Sequence, residues 1–226
     1  ELKEYEDKVT GAERRAIERE RRLFDALCRD TEQVAEAITH CARSVADLDV
    51  LGCFADFAVR TGCIRPEMVD DRTLEIEAGR HPVLDALIGS EFVPNDTRLG
   101  TDDVSWTMAL ITGPNMAGKS TYIRQVALLT LLAHVGCWVP AVQARIGCVD
   151  RIFTRIGASD ELHTGRSTFM VEMMETANIL HHATDRSLVI LDEIGRGTST
   201  LDGLSLAWAI TESLAQRGTR TLFATH

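Results

Sequence analysis

A glycine-rich segment in the middle of the chain has the residue types and spacing of a phosphate-binding loop. Gly113-Pro-Asn-Met-Ala-Gly118-Lys119-Ser120 matches the pattern G-x-x-x-x-G-K-[ST] at every position. Glycines let backbone N–H groups curl around phosphate oxygens at a helix N-terminus, where the helix dipole also favours negative charge. We therefore expect ATP to be bound here by Gly113, Pro114, Asn115, Met116, Ala117, Gly118, Lys119, Ser120 and Thr121.

Within this loop, three side chains have separate predicted roles. Lys119 is expected to reach the β- and γ-phosphates, Thr121 to donate to the α-phosphate, and Ser120 to ligate Mg²⁺. A glycine-rich loop that binds nothing is the alternative. The apolar run before the loop and the helical pattern after it favour the nucleotide-binding interpretation.

Two acidic residues follow an apolar run farther along the chain. Leu188-Val-Ile-Leu191 is followed directly by Asp192 and Glu193. Ligands bind at the carboxyl ends of strands in open α/β sheets, so both carboxylates are expected beside the phosphates. Asp192 is predicted to hold Mg²⁺ together with Ser120, and Glu193 to orient or deprotonate the attacking water. Many strands simply end in a solvated charged turn, but the position after a complete phosphate loop favours the catalytic interpretation.

A histidine ends a further apolar run. His226 follows Thr221–Thr225, which is expected to be a strand that ends at the same sheet edge. An imidazole there can hydrogen-bond a γ-phosphate, which makes His226 a candidate catalytic residue. A lone histidine is more often structural, and this alternative stays open.

Alternating strands and helices must position these residues. Strands are predicted over residues 74–77, 107–112, 188–191 and 219–224, and helices over 120–133, 169–182 and 204–216. This alternation predicts an α/β fold with a mixed, largely parallel sheet.

Residues 1–64 contain no proline and are predicted to be helical, with apolar residues recurring every three or four positions from Val34 to Phe54. A change in composition around residues 61–71 places a domain boundary near residue 70, between a helical segment (1–70) and an ATPase domain (71–226).

Composition narrows the classes of function. The formal net charge of −10 argues against a large phosphate-neutralising surface for DNA on this chain. The six cysteines show no C-x-x-C pair, so no cysteine metal site is predicted. The longest apolar stretch, residues 126–142, is too short and polar to span a bilayer, and the N-terminus has no signal-peptide core. A start without Met and an end within a motif lead us to expect a fragment of a longer protein.

Several distinctive segments occur in a fixed order. They are Leu2-Lys-Glu-Tyr-Glu-Asp-Lys-Val9, Gly79-Arg-His-Pro-Val83, Thr112-Gly-Pro-Asn-Met-Ala-Gly-Lys-Ser-Thr-Tyr122, Arg151-Ile-Phe-Thr-Arg-Ile-Gly157, Gly165-Arg-Ser-Thr-Phe-Met-Val-Glu-Met173, Asp192-Glu-Ile-Gly-Arg-Gly-Thr-Ser-Thr200 and Phe223-Ala-Thr-His226. In this order they resemble the MutS family of DNA mismatch repair proteins over essentially the whole chain. The resemblance implies a P-loop ATPase of the ABC type, in which two subunits sandwich two ATP molecules.

The resemblance also implies roles for single residues. Asn115 would touch the γ-phosphate or the water, Phe92 would lie against the adenine, and Ser167 would meet the γ-phosphate of the partner's ATP. The loop from Gly195 to Gly203 would contact the partner subunit through Ser199, Thr200 and Asp202.

Each of these roles has a structural alternative. Ser167 or Thr168 is suited to cap the following helix, and Phe92 to pack locally. The loop from Gly195 would then be a polar turn that caps a helix from Leu204. Ala117 stands where many family members have glycine, which the loop tolerates only if its φ is negative.

At the level of the whole protein, the resemblance implies coupling of ATP to the recognition of mispaired DNA and to sliding-clamp formation. The implied partners are mismatched double-stranded DNA, bound mainly by parts not present here, a second subunit that completes the ATP sites, and a MutL-type protein, with no membrane. In a bacterium the location would be the cytoplasm, in association with the nucleoid. A MutS-related paralogue or another ABC-type ATPase of DNA recombination or maintenance is the alternative. A non-catalytic scaffold is disfavoured because Lys119, Ser120, Asp192 and Glu193 are all present.

Overall fold

The structure, a computed structural model, describes residues 2–114, 116–156, 168–195 and 198–225. Contacts between residues divide the chain into two units, Glu1–Cys53 and Phe54–His226. The domain boundary expected near residue 70 stays a prediction.

The N-terminal part forms a single long helix, as the sequence predicts. This helix, α1, spans Leu2–Thr61 and therefore runs through the whole first unit. Its recurring apolar residues form the predicted face. From Val34 to Leu51 they are exposed to solvent, by 49% at Val34 and 70% at Leu48, and only Phe54 is half-buried. Helix α1 thus has the predicted apolar face, but the structure leaves most of that face exposed to solvent.

The first of two sheets in the second unit is mixed. Its strands are β1 (Glu67–Val69), β2 (Leu74–Gly79), β3 (Asn95–Leu99) and β5 (Gln143–Gly147), in the order β1-β5-β2-β3. Strand β2 pairs antiparallel with both β3 and β5, and β1 pairs parallel with β5. Helix α2 (Pro82–Ile88) and a short 3₁₀ turn (Gly89–Glu91) connect β2 to β3.

The second sheet is parallel throughout. It contains β4 (Met108–Ile111), β6 (Ile152–Arg155), β7 (Leu188–Asp192) and β8 (Arg220–Ala224), in the order β4-β8-β7-β6. Strands β7 and β8 are buried at every position. Residues 188–191 of β7 and 222–224 of β8 form apolar runs because both faces of these strands are covered.

Three helices complete the α/β unit: α3 (Lys119–His134), α4 (Thr168–His182) and α5 (Thr200–Arg217). Buried residues of α3, such as Ile123 and Leu129, share one core with both sheets, including Leu188 and Leu222 of the parallel sheet. The alternate residues of β7 and β8, such as Val189 and Phe223, pack with α4 and α5 in a second core. Alternate side chains of a strand point to opposite faces, so one sheet can support both cores.

The predicted α/β class is confirmed, and the predicted mixed, largely parallel sheet is divided in the structure into one mixed sheet and one parallel sheet. Strands β1, β3 and β5 belong to a separate mixed sheet that the strand pattern did not reveal. Each has only three to five residues, and sequences such as Asn95-Asp-Thr-Arg-Leu99 carry too few apolar residues to stand out as strands. Helix α5 also begins at Thr200, four residues before the predicted start at Leu204, so Gly203 lies in the helix and not in a loop.

A buried arginine ties the parallel sheet to its neighbouring connections. Arg220, the first residue of β8, is 0% exposed. Its guanidinium donates to the carbonyl oxygens of Gly147 at 3.0 Å, Cys148 at 3.1 Å and Arg186 at 2.6 Å. Burial lowers the pKa of Arg220, partly offset by the nearby Asp150 carboxylate. One side chain thus joins β8 to two other segments, at residues 147–148 and at Arg186.

Replacing Arg220 with methionine is expected to lower the free energy of unfolding by about 3 kcal/mol, because one buried and two partly buried carbonyl oxygens lose their donor. Urea unfolding followed by circular dichroism measures this change. Arg98→Met is the control, since Arg98 is 56% exposed and its pair with Glu75 spans 3.4 Å. Its loss should cost less than about 1 kcal/mol. Equal effects of the two substitutions would contradict a special structural role for Arg220.

Candidate functional site

The predicted phosphate loop lies between a strand and a helix, as its sequence requires. It connects the end of β4 at Ile111 to the start of α3 at Lys119. Its backbone has positive φ at Gly113 (148°), Met116 (64°) and Gly118 (87°). Among the described non-glycine residues, only Ala78, Met116 and Glu193 have positive φ. The φ of Ala117 is therefore not positive, as a residue with a side chain requires at this position. Asn115 lies outside the described residues.

The lysine of the loop is folded over the loop itself. Lys119 Nζ donates to the carbonyl oxygens of Gly113 at 2.7 Å and Pro114 at 2.9 Å. The residue is only 9% exposed, although it carries a charge. An ammonium group held in place by neutral acceptors is able to exchange them for phosphate oxygens, which form stronger, charge-assisted hydrogen bonds.

Asp192, the predicted metal ligand, is the last residue of β7, which pairs with β8. Asp192 is 6% exposed, and its Oδ2 lies 3.9 Å from Arg124 Nη2 on α3. Its Oδ1 is buried and has no hydrogen-bond partner in the part of the chain that the structure describes. An unsatisfied buried carboxylate oxygen is costly unless a cation or donor meets it.

The donor chemistry fits the predicted cation. A carboxylate oxygen of Asp192 and the hydroxyl of Ser120, the second residue of α3, are the hard oxygen ligands that Mg²⁺ prefers. Over the described ranges, no group of three or more His, Cys, Asp or Glu residues is placed to hold a metal. Ser120 and Asp192 thus remain the predicted metal ligands, with phosphate oxygens or water needed to complete the coordination.

Glu193 follows Asp192 in an unusual backbone conformation. Its φ is 55°, in the left-handed region, and its N–H donates to the carbonyl oxygen of Ala224 at 2.9 Å. The parallel pairing of Asp192 with Ala224 brings the ends of β7 and β8 to the same sheet edge. His226 itself lies outside the described residues.

A cavity of about 620 Å³ adjoins the phosphate loop. Phe92 lines it together with Ala117, Gly118, Lys119 and Thr121, which brings a distant aromatic beside the loop. Its role toward adenine stays a prediction. Sequence reasoning did not single out the other residues that line the cavity, which are Leu84, Ile88, Val93, Asn95, Asp96, Ile111, Thr112 and Tyr122.

Helix α2, which supplies part of this wall, is capped by a histidine. His81 Nδ1 accepts the N–H groups of Val83 and Leu84 at 3.3 Å each, and Pro82 occupies the first helical position. The dipeptide His81-Pro82 was therefore a local signal for this helix, because proline is favoured there. Burial lowers the pKa of His81, which favours the neutral form that accepts these bonds. Tyr122 also lines the cavity, and its hydroxyl lies 3.0 Å from Thr97 Oγ1.

The predicted subunit-contact residues begin α5. Ser199 is the N-cap: its Oγ accepts the N–H of Asp202 at 3.3 Å and donates to Asp202 Oδ2 at 2.7 Å. Thr200 is the first helical residue. The capping role is therefore present, while contact with a partner stays a prediction. Ser167 lies outside the described residues.

Comparison with known proteins agrees with the resemblance in sequence. Residues 109–226 match the family model of MutS domain V. The whole chain is 58% identical to a DNA mismatch repair protein MutS of Rhodopirellula baltica and 56% identical to one of Acetivibrio thermocellus. It spans 25% and 26% of the length of these relatives. Among the described residues, no helix has the length and apolar character needed to cross a membrane. The domain V match and the identity along the entire chain show that this chain belongs to the MutS family.

Proposed function

We propose that this chain is the ATP-binding and ATP-hydrolysing part of a MutS-type mismatch repair protein, with a P-loop fold of the ABC type. The observation that carries the proposal is the phosphate loop at the start of α3, with the Lys119 ammonium held inside it. The unsatisfied oxygen of Asp192, on a strand that packs against α3, supports it independently.

The residues of the chain divide the work of binding. Lys119 releases the carbonyl oxygens of Gly113 and Pro114 and donates to the β- and γ-phosphates. Thr121 donates to the α-phosphate, and N–H groups of the loop, including those of Met116 and Ala117, surround the phosphate oxygens. Ser120 and Asp192 would hold Mg²⁺, which neutralises developing charge on phosphate oxygens.

Hydrolysis needs an activated water. Glu193 accepts a proton from the water or orients it toward the γ-phosphate. Asn115 and His226 are proposed to hydrogen-bond the γ-phosphate from the loop and from the end of β8. Ser167 is proposed to meet the γ-phosphate of the ATP of a second subunit, so that a homodimer forms composite sites. Ser199, Thr200 and Asp202 are proposed to contact that subunit.

At the level of the whole protein, we propose that ATP state controls binding to mispaired DNA and the change to a sliding clamp. Such coupling requires that two sites share an element with two arrangements, and α1 is proposed as part of the lever that joins them. A MutL-type protein is the proposed downstream partner, and a nucleoid-associated location in the cytoplasm is proposed for a bacterial source.

The mismatch function is tested by titrating the full-length protein containing this chain with matched duplex DNA and with a duplex carrying one G·T mismatch. Preference for the mismatch that weakens on adding ATP is expected. Equal affinity for both duplexes would instead favour a MutS-related paralogue of recombination. ATP hydrolysis is tested on the same sample by Mg²⁺-dependent release of phosphate.

Replacing Phe92 with alanine is expected to weaken ATP binding roughly five- to thirtyfold, since stacking of one base on an aromatic ring contributes about 1–2 kcal/mol. Calorimetric titration measures the change in Kd. Trp208→Ala is the control, because Trp208 is 71% exposed on α5 and does not line the cavity. An unchanged Kd in Phe92→Ala would show that Phe92 only packs locally.

A further inference from the structure

A buried carboxylate outside the predicted site contacts the turn that carries Glu193. Glu172 lies on α4, and its side chain is only 5% exposed. Its Oε1 accepts the N–H of Gly195 at 2.5 Å. Gly195 is two residues after Glu193, so the carboxylate holds the backbone close to the proposed catalytic residue.

The turn itself has a backbone that needs support. Glu193 has a φ of 55°, which is unfavourable for a residue with a side chain. Gly195 has a φ of 88°, and a Cβ added to it would lie 2.7 Å from Gly203 Cα on α5. Only glycine fits against α5 at this place. The direction of the Glu193 side chain therefore depends on the interactions that hold this turn.

Glu172 is in turn anchored by an arginine. Arg155 ends β6 and its side chain is 6% exposed. Arg155 Nη2 lies 3.5 Å from Glu172 Oε2, and Nη1 donates to the carbonyl oxygen of Ile156 at 2.6 Å. One carboxylate oxygen thus faces a fixed cation while the other faces the Gly195 amide. The carboxylate cannot rotate without losing both.

A second acid provides an internal comparison. Glu175 lies one turn farther along α4, and its Oε2 is 3.2 Å from Arg155 Nε, but its side chain is 49% exposed. Among the described contacts it has none with Gly195. Glu172 and Glu175 therefore share the same arginine and differ in their access to the turn.

We propose that Glu172 is a positioning residue for ATP hydrolysis, which sets the direction of Glu193 through its hydrogen bond to the Gly195 amide. This role rests on the proposed ATPase function. The phosphate-binding groups lie on the β4–α3 connection and not on this turn. Loss of the hydrogen bond is therefore expected to lower the rate of hydrolysis and leave ATP affinity unchanged.

Two substitutions separate reach from charge. Glu172→Asp keeps the negative charge beside Arg155 but is one methylene too short for Gly195. Glu172→Gln keeps the reach and an acceptor oxygen but loses the charge. In the full-length protein, we expect kcat to fall roughly tenfold or more in Glu172→Asp, because small misplacement of a reacting group has large effects. Glu172→Gln should lose less activity than Glu172→Asp, because its amide oxygen still accepts from Gly195 although its NH2 group then faces the Arg155 cation. The control Glu175→Gln should stay within about threefold of the unsubstituted protein.

Two further measurements identify how the effect arises. Hydrogen exchange of the Gly195 amide should be faster in Glu172→Asp than in either Gln variant, and the Kd for ATP should be the same in all. In a Glu193→Gln background, Glu172→Asp should cause little further loss, because Glu172 acts only through the Glu193 carboxylate, which that background has already removed.

The opposite order of effects, with Glu172→Gln impaired and Glu172→Asp active, would overturn the positioning role and show that the ion pair matters instead. A parallel fall in ATP affinity and kcat in Glu172→Asp would overturn it as well. So would a double variant in which the losses of kcat from Glu172→Asp and Glu193→Gln multiply in full. Absence of hydrolysis by the unsubstituted protein would overturn the proposed function itself. Normal hydrolysis that is insensitive to Glu172→Asp overturns this role alone.

Discussion

Replacing Lys119 with methionine or alanine is expected to weaken ATP binding at least roughly a hundredfold, equivalent to about 3 kcal/mol. Lys119 is the only lysine between residues 9 and 226, and its ammonium group lies within the phosphate loop. Two charge-assisted hydrogen bonds to phosphate oxygens are each expected to contribute about 1.5 kcal/mol or more. Calorimetric titration with Mg²⁺ and ATP measures the loss.

The two Lys119 variants have different purposes. Methionine keeps the apolar stem and the buried volume, so it tests the charge, whereas alanine also opens space beside the loop. Arg98→Met is the matched control, because it removes one positive charge from an exposed position on β3. If Lys119→Met bound ATP within threefold of the unsubstituted chain, the assignment of Lys119 to the phosphates would be wrong.

Replacing Glu193 with glutamine is expected to lower the rate of ATP hydrolysis by roughly a hundred- to a thousandfold, with ATP affinity nearly unchanged. Glutamine has the same size and keeps the backbone of the turn, but it cannot take a proton from water. General base catalysis typically contributes effects of about this size. Mg²⁺-dependent phosphate release in the full-length protein, together with the Kd for ATP, separates the two steps.

The control for Glu193→Gln is Glu212→Gln on α5, where the carboxylate lies at the exposed surface near Gln216. Its rate should equal that of the unsubstituted protein. A Glu193→Gln variant that hydrolyses ATP within about fivefold of normal would move the role of base to another residue. A variant that fails to bind ATP would show that Glu193 supports the structure of the site instead.

Short-range features of this protein were predictable because neighbouring residues alone determine them. The loop of residues 113–120 requires only glycines between a strand and a helix, and both flanking elements begin and end within a residue or two of their predicted limits. The strands β7 and β8 were recognisable from the apolar runs at residues 188–191 and 222–224, which lie in strands that are buried at every position. Asp192 and Glu193 could be assigned because they come directly after the apolar run of residues 188–191.

Features that depend on distant pairing were not predictable in the same way. Strand β5 pairs with β2 across more than sixty residues of sequence, and its alternation over Gln143–Gly147 is too short to signal a strand. The start of α5 was predicted late because the helix opens with Thr200-Leu-Asp-Gly, whose weak helical tendency is compensated by the Ser199 cap. Tertiary pairing and capping, more than local preference, decide these elements.

The sequence by itself determined the phosphate loop, the acidic pair after β7, the α/β class and the membership in the MutS family, because each is written in contiguous residues or in their order. For Phe92 the order of segments implied a place at the nucleotide, and the tertiary structure puts it on the wall of the cavity beside the loop. Only the tertiary structure placed Glu172 against the turn of Glu193. Such contacts join residues that are more than twenty positions apart. Their geometry is set by how helices and sheets pack, and that packing has no signature in a single stretch of sequence.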